Sequence, residues 1–264
     1  MPMSAAWLRP AASGLIRYVL AIGLFVLVWN LASVWVGKPN TLPRPAEVLV
    51  QAVDLIGTGE LFGHVAHTLR RLLAGFALAC AVGVPLGLAL GLSRTLADYV
   101  TPVVEALRPI SGIAWIPLAL YALGVGEALP HFIIFYGAVF PILVNAAGAV
   151  RQVDPGLVQA ARTLGASQMR VLLSIILPAC LPMIFVGARL GLGVGWMAVI
   201  ASELVGAPSG LGYMIEWNRT MLMSSRVLVG VLTIGFLGYL MDWGLRRAAR
   251  ALTPWWMGWR QQHG

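Results

Sequence analysis

Six apolar runs, each roughly twenty residues long, leave this chain few folds to choose from. They cover about 15–36, 72–92, 103–123, 132–150, 181–205 and 227–245. A helix of about 20 apolar residues crosses the hydrocarbon of a bilayer. In that layer every backbone N–H and C=O must be paired within the protein, so such a run becomes a helix. Composition agrees: 59% of the 264 residues are hydrophobic and 11% are charged, against about 25% charged in an average soluble domain. The expected class is therefore all-α, a polytopic membrane protein with about six transmembrane helices. The first run is too long for the core of a signal peptide and lacks an A-x-A site after it, so it reads as a retained span. Cys80 and Cys180 lie in or beside apolar runs and read as buried apolar residues rather than a disulfide.

The segments between the runs add detail. Leu42–Ile56 carries Leu49, Val53 and Ile56 at helical spacing, which predicts an interfacial helix. The second run is rich in Gly and Ala, small residues that let membrane helices approach closely. Ser93, Arg94 and Asp98 read as a short loop. The third run is interrupted by Pro109 and Pro117. GAPSGLGYMIEWNRTMLMSSR, between the fifth and sixth runs, reads as a Gly/Pro-rich loop. The expected layout is an N-terminal helix and interfacial segment over 1–60, a core over 61–250 and a tail over 251–264. No internal repeat, low-complexity tract or soluble domain is evident.

One polar stretch breaks the pattern. Asp154 to Pro182 reads DPGLVQAARTLGASQMRVLLSIILPACLP. Asp154 suits a helix N-cap and Pro155 the first helical position, where no N–H is needed. Leu157, Ala160, Ala161 and Leu164 share one face; Gln159, Arg162 and Thr163 fall elsewhere. Gly165 stops the helix, Ser167 caps a second one, and that helix is expected to run to Leu177 before Pro178. The small alanines would let another protein's surface come close.

With six spans both ends share one side. If the 154–177 loop is inside, ten cations accompany it: Arg9, Arg17, Arg94, Arg151, Arg162, Arg170, Arg246, Arg247, Arg250 and Arg260. Six lie outside: Lys38, Arg44, Arg70, Arg71, Arg219 and Arg226. The bias follows the positive-inside rule, with Arg70 and Arg71 the awkward pair. The formal net charge of +8 is then a property of cytoplasmic loops, not a sign of nucleic-acid binding.

Several chemistries are missing. A phosphate-binding loop ends G-K-[ST], but Lys38 is followed by Pro39 and is the chain's one lysine. ATP hydrolysis would fall to a partner. His64 and His67 are three apart with no third ligand evident, and read as two solvated histidines; no metal or cofactor is expected. No paired-carboxylate or Ser/His/Asp arrangement stands out, so the chain reads as a non-enzyme.

Ionisable groups within the apolar runs are costly and face a partner or a path. Glu105 and Arg108 could pair, being three apart on a helix. Arg189 either lines a pathway or pairs with a carboxylate, and Glu203 is the remaining charge. Pro109 and Pro117 leave carbonyls unpaired, which is tolerated where a broken helix lines a cavity. Ser111, Trp115 and Tyr121 would then face a cargo, with Asn145 and Trp196 adding hydrogen bonds and an aromatic wall. A kinked packing helix is the other reading of that run.

Gln159-Ala160-Ala161, Gly165, Ile175, Leu177 and Pro178 match the spacing E-A-A-x3-G-x9-I-x-L-P, with Gln159 in place of the glutamate. This resembles the coupling loop of permease subunits of ATP-binding-cassette importers. RPISGIAWIPLALYALGVGE, GLGVGWMAVIASELVGAPSGLGYMI and Leu252–Trp255 resemble the nitrate, taurine and alkanesulfonate subfamily. The resemblance covers about residues 41–256. It implies a homodimer with two ATPase subunits, fed by an extracytoplasmic substrate-binding protein, in a bacterial inner membrane with both termini cytoplasmic. Asp154, Gln159, Ala160, Ala161, Arg162, Gly165 and Pro178 would form the ATPase coupling surface. Ser111, Trp115, Tyr121, Asn145, Arg189, Trp196 and Glu203 would line the pathway. The implied cargo is a small oxyanion, taurine or another sulfonate first and nitrate next. A pyrimidine- or flavin-type vitamin precursor is the alternative. An ion-driven secondary transporter is the rival from another class; it would show an inverted repeat of broken helices, which this chain lacks. A membrane scaffold without transport is the third possibility.

Overall fold

The computed structural model describes residues 10–38 and 41–255. Arg9, Pro39, Asn40 and Arg260 of the sequence reading lie outside them. The described residues form helices and connecting turns, without strands. They begin with α1 (Pro10–Val36), α2 (Pro45–Gly57), α3 (Glu60–Leu92), α4 (Arg94–Leu107), α5 (Ile116–Leu123) and α6 (Ala128–Arg151). Then come α7 (Pro155–Thr163), α8 (Gln168–Val171), α9 (Leu177–Gly206), α10 (Leu211–Thr220) and α11 (Ser224–Leu252). Two compact units result, one of Met1–Leu61 with Ile215–Val231, the other of Phe62–Met214 with Leu232–Gly264.

Among the described residues four continuous helices are long and apolar enough to cross a membrane: Glu60–Leu92, Ala128–Arg151, Gln168–Gly206 and Ser224–Leu252. Arg94–Leu107 and Gly112–Leu123 pass the same test only when taken together, and they are bent by 79° at their junction, the geometry of a broken span or of a re-entrant segment. Helix α1 supplies the apolar stretch Leu20–Val36. In order these correspond to the six runs of the sequence.

In the first unit α1 ends where Gly37 takes φ +63°. Its Ser33 hydroxyl donates to the Leu42 carbonyl at 2.8 Å and the Trp29 indole to Pro43 at 3.1 Å. Helix α2 buries Val48 and Leu55 and exposes Leu49, Val53 and Ile56, which leaves the predicted interfacial stripe facing outward. Arg226 holds α2 through Gln51 and Asp54, both at 2.9 Å.

The second unit is built on α6, the most buried of the long helices. Small residues at every fourth position of α3, Gly75, Ala79, Gly83, Gly87 and Gly91, let α6 lie against it. A Cβ added at Gly87 would stand 2.5 Å from the Leu143 carbonyl, and one at Gly91 2.5 Å from the Val150 Cβ. Helix α9 repeats the device on another side of α6. A Cβ at Gly187 would meet the Pro141 carbonyl at 3.0 Å, and one at Gly191 the Ala138 carbonyl at 2.9 Å. Without hydrophobic drive between helices in lipid, such close van der Waals packing is what holds them.

Three segments differ from the sequence reading, and the expected break at Pro109 is present. The loop expected at Ser93–Asp98 is the start of α4, because the Ser93 hydroxyl caps it by accepting from Leu96 N–H at 3.2 Å. That helix stops at Leu107, ahead of Pro109, and the Tyr136 hydroxyl takes up the Leu107 carbonyl at 2.8 Å. The Gly/Pro-rich loop contains α10, which buries Leu211 and Met214. Finally, Pro178 does not end a helix: α8 and α9 run on through a π turn at Leu172–Ile176. Proline lacks the N–H for the carbonyl four residues back and crowds it. The wider turn absorbs that, with Leu177 N–H reaching back to Leu172.

Candidate functional site

The polar stretch is a short exposed helix tied at both ends. The Asp154 carboxylate accepts from Gly156 N–H at 2.7 Å. At the other end Gly165 N–H donates to Arg162 at 2.9 Å and Ala166 N–H to Ala161 at 3.0 Å. That double closure requires the left-handed φ of +82° at Gly165. A Cβ there would touch nothing within 4 Å, so conformation and not space demands glycine. Ser167 then caps α8.

Val158, Ala161 and Ala166 anchor α7 on a cluster made by Ala146, Ala149, Val150, Val171, Ile176 and Cys180. The seated face is therefore Val158 and Ala161, both half-buried, and of the Leu157, Ala160, Ala161 and Leu164 stripe it takes Ala161 alone. Leu164 is 87% exposed. Gln159, Ala160, Arg162 and Gly165 are exposed with it, whereas Pro178 is half-buried. Beside α7 opens a cleft of about 350 Å³ lined by Asp154, Leu157, Ala179, Met183 and Trp255. Trp255, from the tail, was not tied to this helix by sequence.

At the opposite end of the same unit lies a charge cluster. Arg71, read as an outer-loop residue, is 0% exposed. All five of its N–H donors are engaged. Nε and Nη2 bond the two Glu127 oxygens at 2.9 and 2.5 Å. Nη1 bonds Glu203 at 2.9 Å, and Ser209 accepts through its carbonyl and its hydroxyl, the latter at 2.8 Å. The Glu203 carboxylate also accepts from the Thr68 hydroxyl at 2.9 Å and from Gly212 N–H at 2.9 Å. Thr68 accepts from Leu211 N–H at 2.8 Å. The first amides of α10, which no intrahelical carbonyl can serve, thus end on Thr68 and Glu203. The Arg71 hydrogen bonds hold the Glu127 carboxyl below the ordinary carboxylate range, with Arg70 and His131 adding to it. His64 is half-buried rather than solvated: it accepts from Gly210 N–H at 3.2 Å and lies beside the Tyr213 ring, tilted by 34°.

The expected pathway residues fall in different settings. Glu203 is spent in the cluster. Arg189 pairs with Asp242, an acid in the sixth run that sequence reading passed over; its Nη2 contact is 3.2 Å. Glu105 and Arg108 are both exposed, and the pair expected between them does not form. Ser111 is exposed at the break before α5, and Tyr121 is 91% exposed. The Asn145 amide donates to the Pro141 carbonyl at 2.8 Å. Trp115 and Trp196 pack in one apolar cluster with Ile116, Ile133 and Val199. Neither indole N–H has an acceptor.

Comparison with known proteins decides what this architecture is. Residues 83–254 match the family described as binding-protein-dependent transport system inner membrane component. The chain belongs to that family. Two relatives are the taurine transport system permease protein of Escherichia coli and the nitrate import permease protein of a Synechocystis strain. The first is 35% identical over 248 residues, 90% of each chain. The second is 31% identical over 261 residues, 92% of this chain and 94% of the relative. A chain of the MetNI methionine ABC transporter, solved in inward-facing conformations, superposes with a TM-score of 0.64 at 23% identity. It covers 73% of this permease and 96% of its own length, and the likeness is one of fold. Binding-protein-dependent transport is thus the setting of this permease, and its long helices make it a multi-pass membrane component. Two signals could have exposed the charge cluster: an arginine pair abutting an apolar run, and an acid in the fifth run without a local partner.

Proposed function

We propose that the permease, with a second copy of itself, forms the pathway for a small oxyanion, a sulfonate such as taurine or else nitrate. Two ATPase subunits dock on α7, and an extracytoplasmic binding protein delivers the cargo. Helix α7 and both termini face the cytoplasm, with 1–60 as an N-terminal anchor, 61–250 as the core and 251–264 as a tail. The observation that carries the coupling role is α7 itself. It is exposed, capped at both ends and seated on small residues, so a push on Leu164 or Arg162 is transmitted to α6 and α9 rather than lost in a flexible loop. ATP turnover belongs to the partner subunits, since the permease has no G-K-[ST] loop.

The names of the taurine and nitrate relatives support the oxyanion class. The Trp115 and Trp196 indoles lack an acceptor among the described residues, at a cost of about 1–3 kcal/mol each; such donors suit an oxyanion and a carbonyl alike and do not bear on the class. Ser111 precedes α5, Tyr121 lies on it, Asn145 on α6 and Arg189 on α9, adding polar groups, while Glu203 secures the far end. Uptake by the complex reconstituted with its ATPase and binding protein tests the cargo. Taurine or nitrate should enter and stimulate ATP hydrolysis; entry of a neutral pyrimidine or flavin instead would overturn the class. Gly165→Val tests coupling. A branched side chain resists φ +82°, so the variant should insert normally and lose ATPase stimulation, and full uptake would refute the docking role.

A further inference from the structure

The Arg71 guanidinium has two edges in unlike surroundings. Its Nη1 edge meets Glu203, whose side chain is fully buried. Its Nε/Nη2 edge meets both oxygens of Glu127, whose side chain is 53% exposed. One edge is sealed and the other ends on a carboxylate open to solvent. Glu127 follows the turn Gly124-Val125-Gly126, whose glycines take φ +72° and +149° and would have no neighbour within 4 Å of an added Cβ. The turn is open on its glycine faces and is held by backbone bonds, Gly126 N–H donating to the Gly206 carbonyl at 3.2 Å and Gly124 N–H to the Leu120 carbonyl at 2.9 Å, so the Glu127 side chain is free to swing without moving it. His131 bonds the Glu127 carbonyl through Nδ1, and Arg70 precedes Arg71 on α3. Arg71 and Glu203 already neutralise each other, so Glu127 is a second anion on a satisfied pair.

We propose that Glu127 is a displaceable plug, and that the Nε/Nη2 edge of Arg71 is a relay site for the permease's oxyanion at the end of the core unit opposite α7. This rests on the oxyanion reading above. The planar fork that grips a carboxylate by two parallel hydrogen bonds grips any oxyanion presenting two oxygens in the same way. Replacing the Glu127 carboxylate by nitrate or by the sulfonate end of taurine puts another oxyanion on this edge, so the Nε and Nη2 donors stay hydrogen-bonded while Glu203 goes on neutralising Arg71. The tethered carboxylate competes at roughly millimolar effective concentration, so the visiting anion is held only briefly, as passage requires.

The test uses the full permease in lipid nanodiscs, titrated calorimetrically with sodium nitrate and with taurine. Glu127→Gln removes the competitor while Glu203 still neutralises Arg71. Nitrate should then bind about tenfold or more tighter than to the wild type. Glu127→Asp, which retracts the carboxylate but keeps its charge, should fall between. Thermal unfolding without added anion checks that both variants are folded. Equal nitrate affinity in all three proteins, with uptake of taurine or nitrate intact in the wild type, overturns the relay and leaves the cargo class standing. Tighter binding by Glu127→Gln without uptake of either anion overturns the cargo class, and the relay role with it.

Discussion

Arg71 and Arg189 both reach between long apolar helices of the permease, and they meet opposite surroundings. Arg71 joins α3 to the end of α9 with no exposed surface, five satisfied donors and two acids. Arg189 joins α9 to α11 with half of its side chain exposed, and its acid, Asp242, is shared with Arg246 at 3.2 Å. The difference lies in what is left when one member goes. Without Arg71, Glu203 is a buried carboxylate whose remaining donors are Thr68 and Gly212. Without Arg189, Asp242 still has a cation. A buried pair is costly to break because of the charge it strands, not because the pair itself is strongly stabilising.

The largest effect should therefore come from Arg71→Met, about 3–5 kcal/mol of stability, measured by denaturant or thermal unfolding in detergent. Adding Glu203→Leu should restore most of it, because no buried charge then remains; Glu127 is exposed enough to stay solvated. Equal losses in the single and double variants would show that packing, not charge, sets the cost. Next comes Gly210→Ala, which tests how rigidly the cluster is roofed. Gly210 has φ +112°, and its added Cβ would stand 2.2 Å from a Glu203 oxygen. Overpacking of that kind costs about 1–3 kcal/mol. A neutral outcome in the same assay would mean that the 207–210 loop yields and that the sealed edge is softer than the comparison holds. The smallest stability effect is expected from Arg189→Gln, within about 1 kcal/mol, with uptake of taurine or nitrate reduced and assembly normal. A loss as large as that of Arg71→Met would erase the distinction between the two arginines.

The sequence by itself determined the features that depend on a few neighbouring residues. About twenty apolar residues dictate a helix wherever they occur, so the order of spans was readable. Asp154, Pro155, Gly165 and Ser167 specify α7 and its turn through bonds that reach no more than five residues. Which face of α7 is seated is a different matter, because Val158 and Leu157 are equally apolar and only the position of α6 and α9 selects between them. The tertiary structure alone decided the rest. Arg71 finds Glu127, Glu203 and Ser209 at separations of 56, 132 and 138 residues, and Arg189 finds Asp242 at 53. Helix α10 forms in a Gly/Pro-rich segment because Thr68 and Glu203 serve its first amides. The Arg71 pairings follow from how closely Gly75–Gly91 and Gly187–Gly195 let α3, α6 and α9 pack. A desolvated charge takes whichever partner that packing brings within hydrogen-bond distance, and no local pattern in the chain encodes the distance.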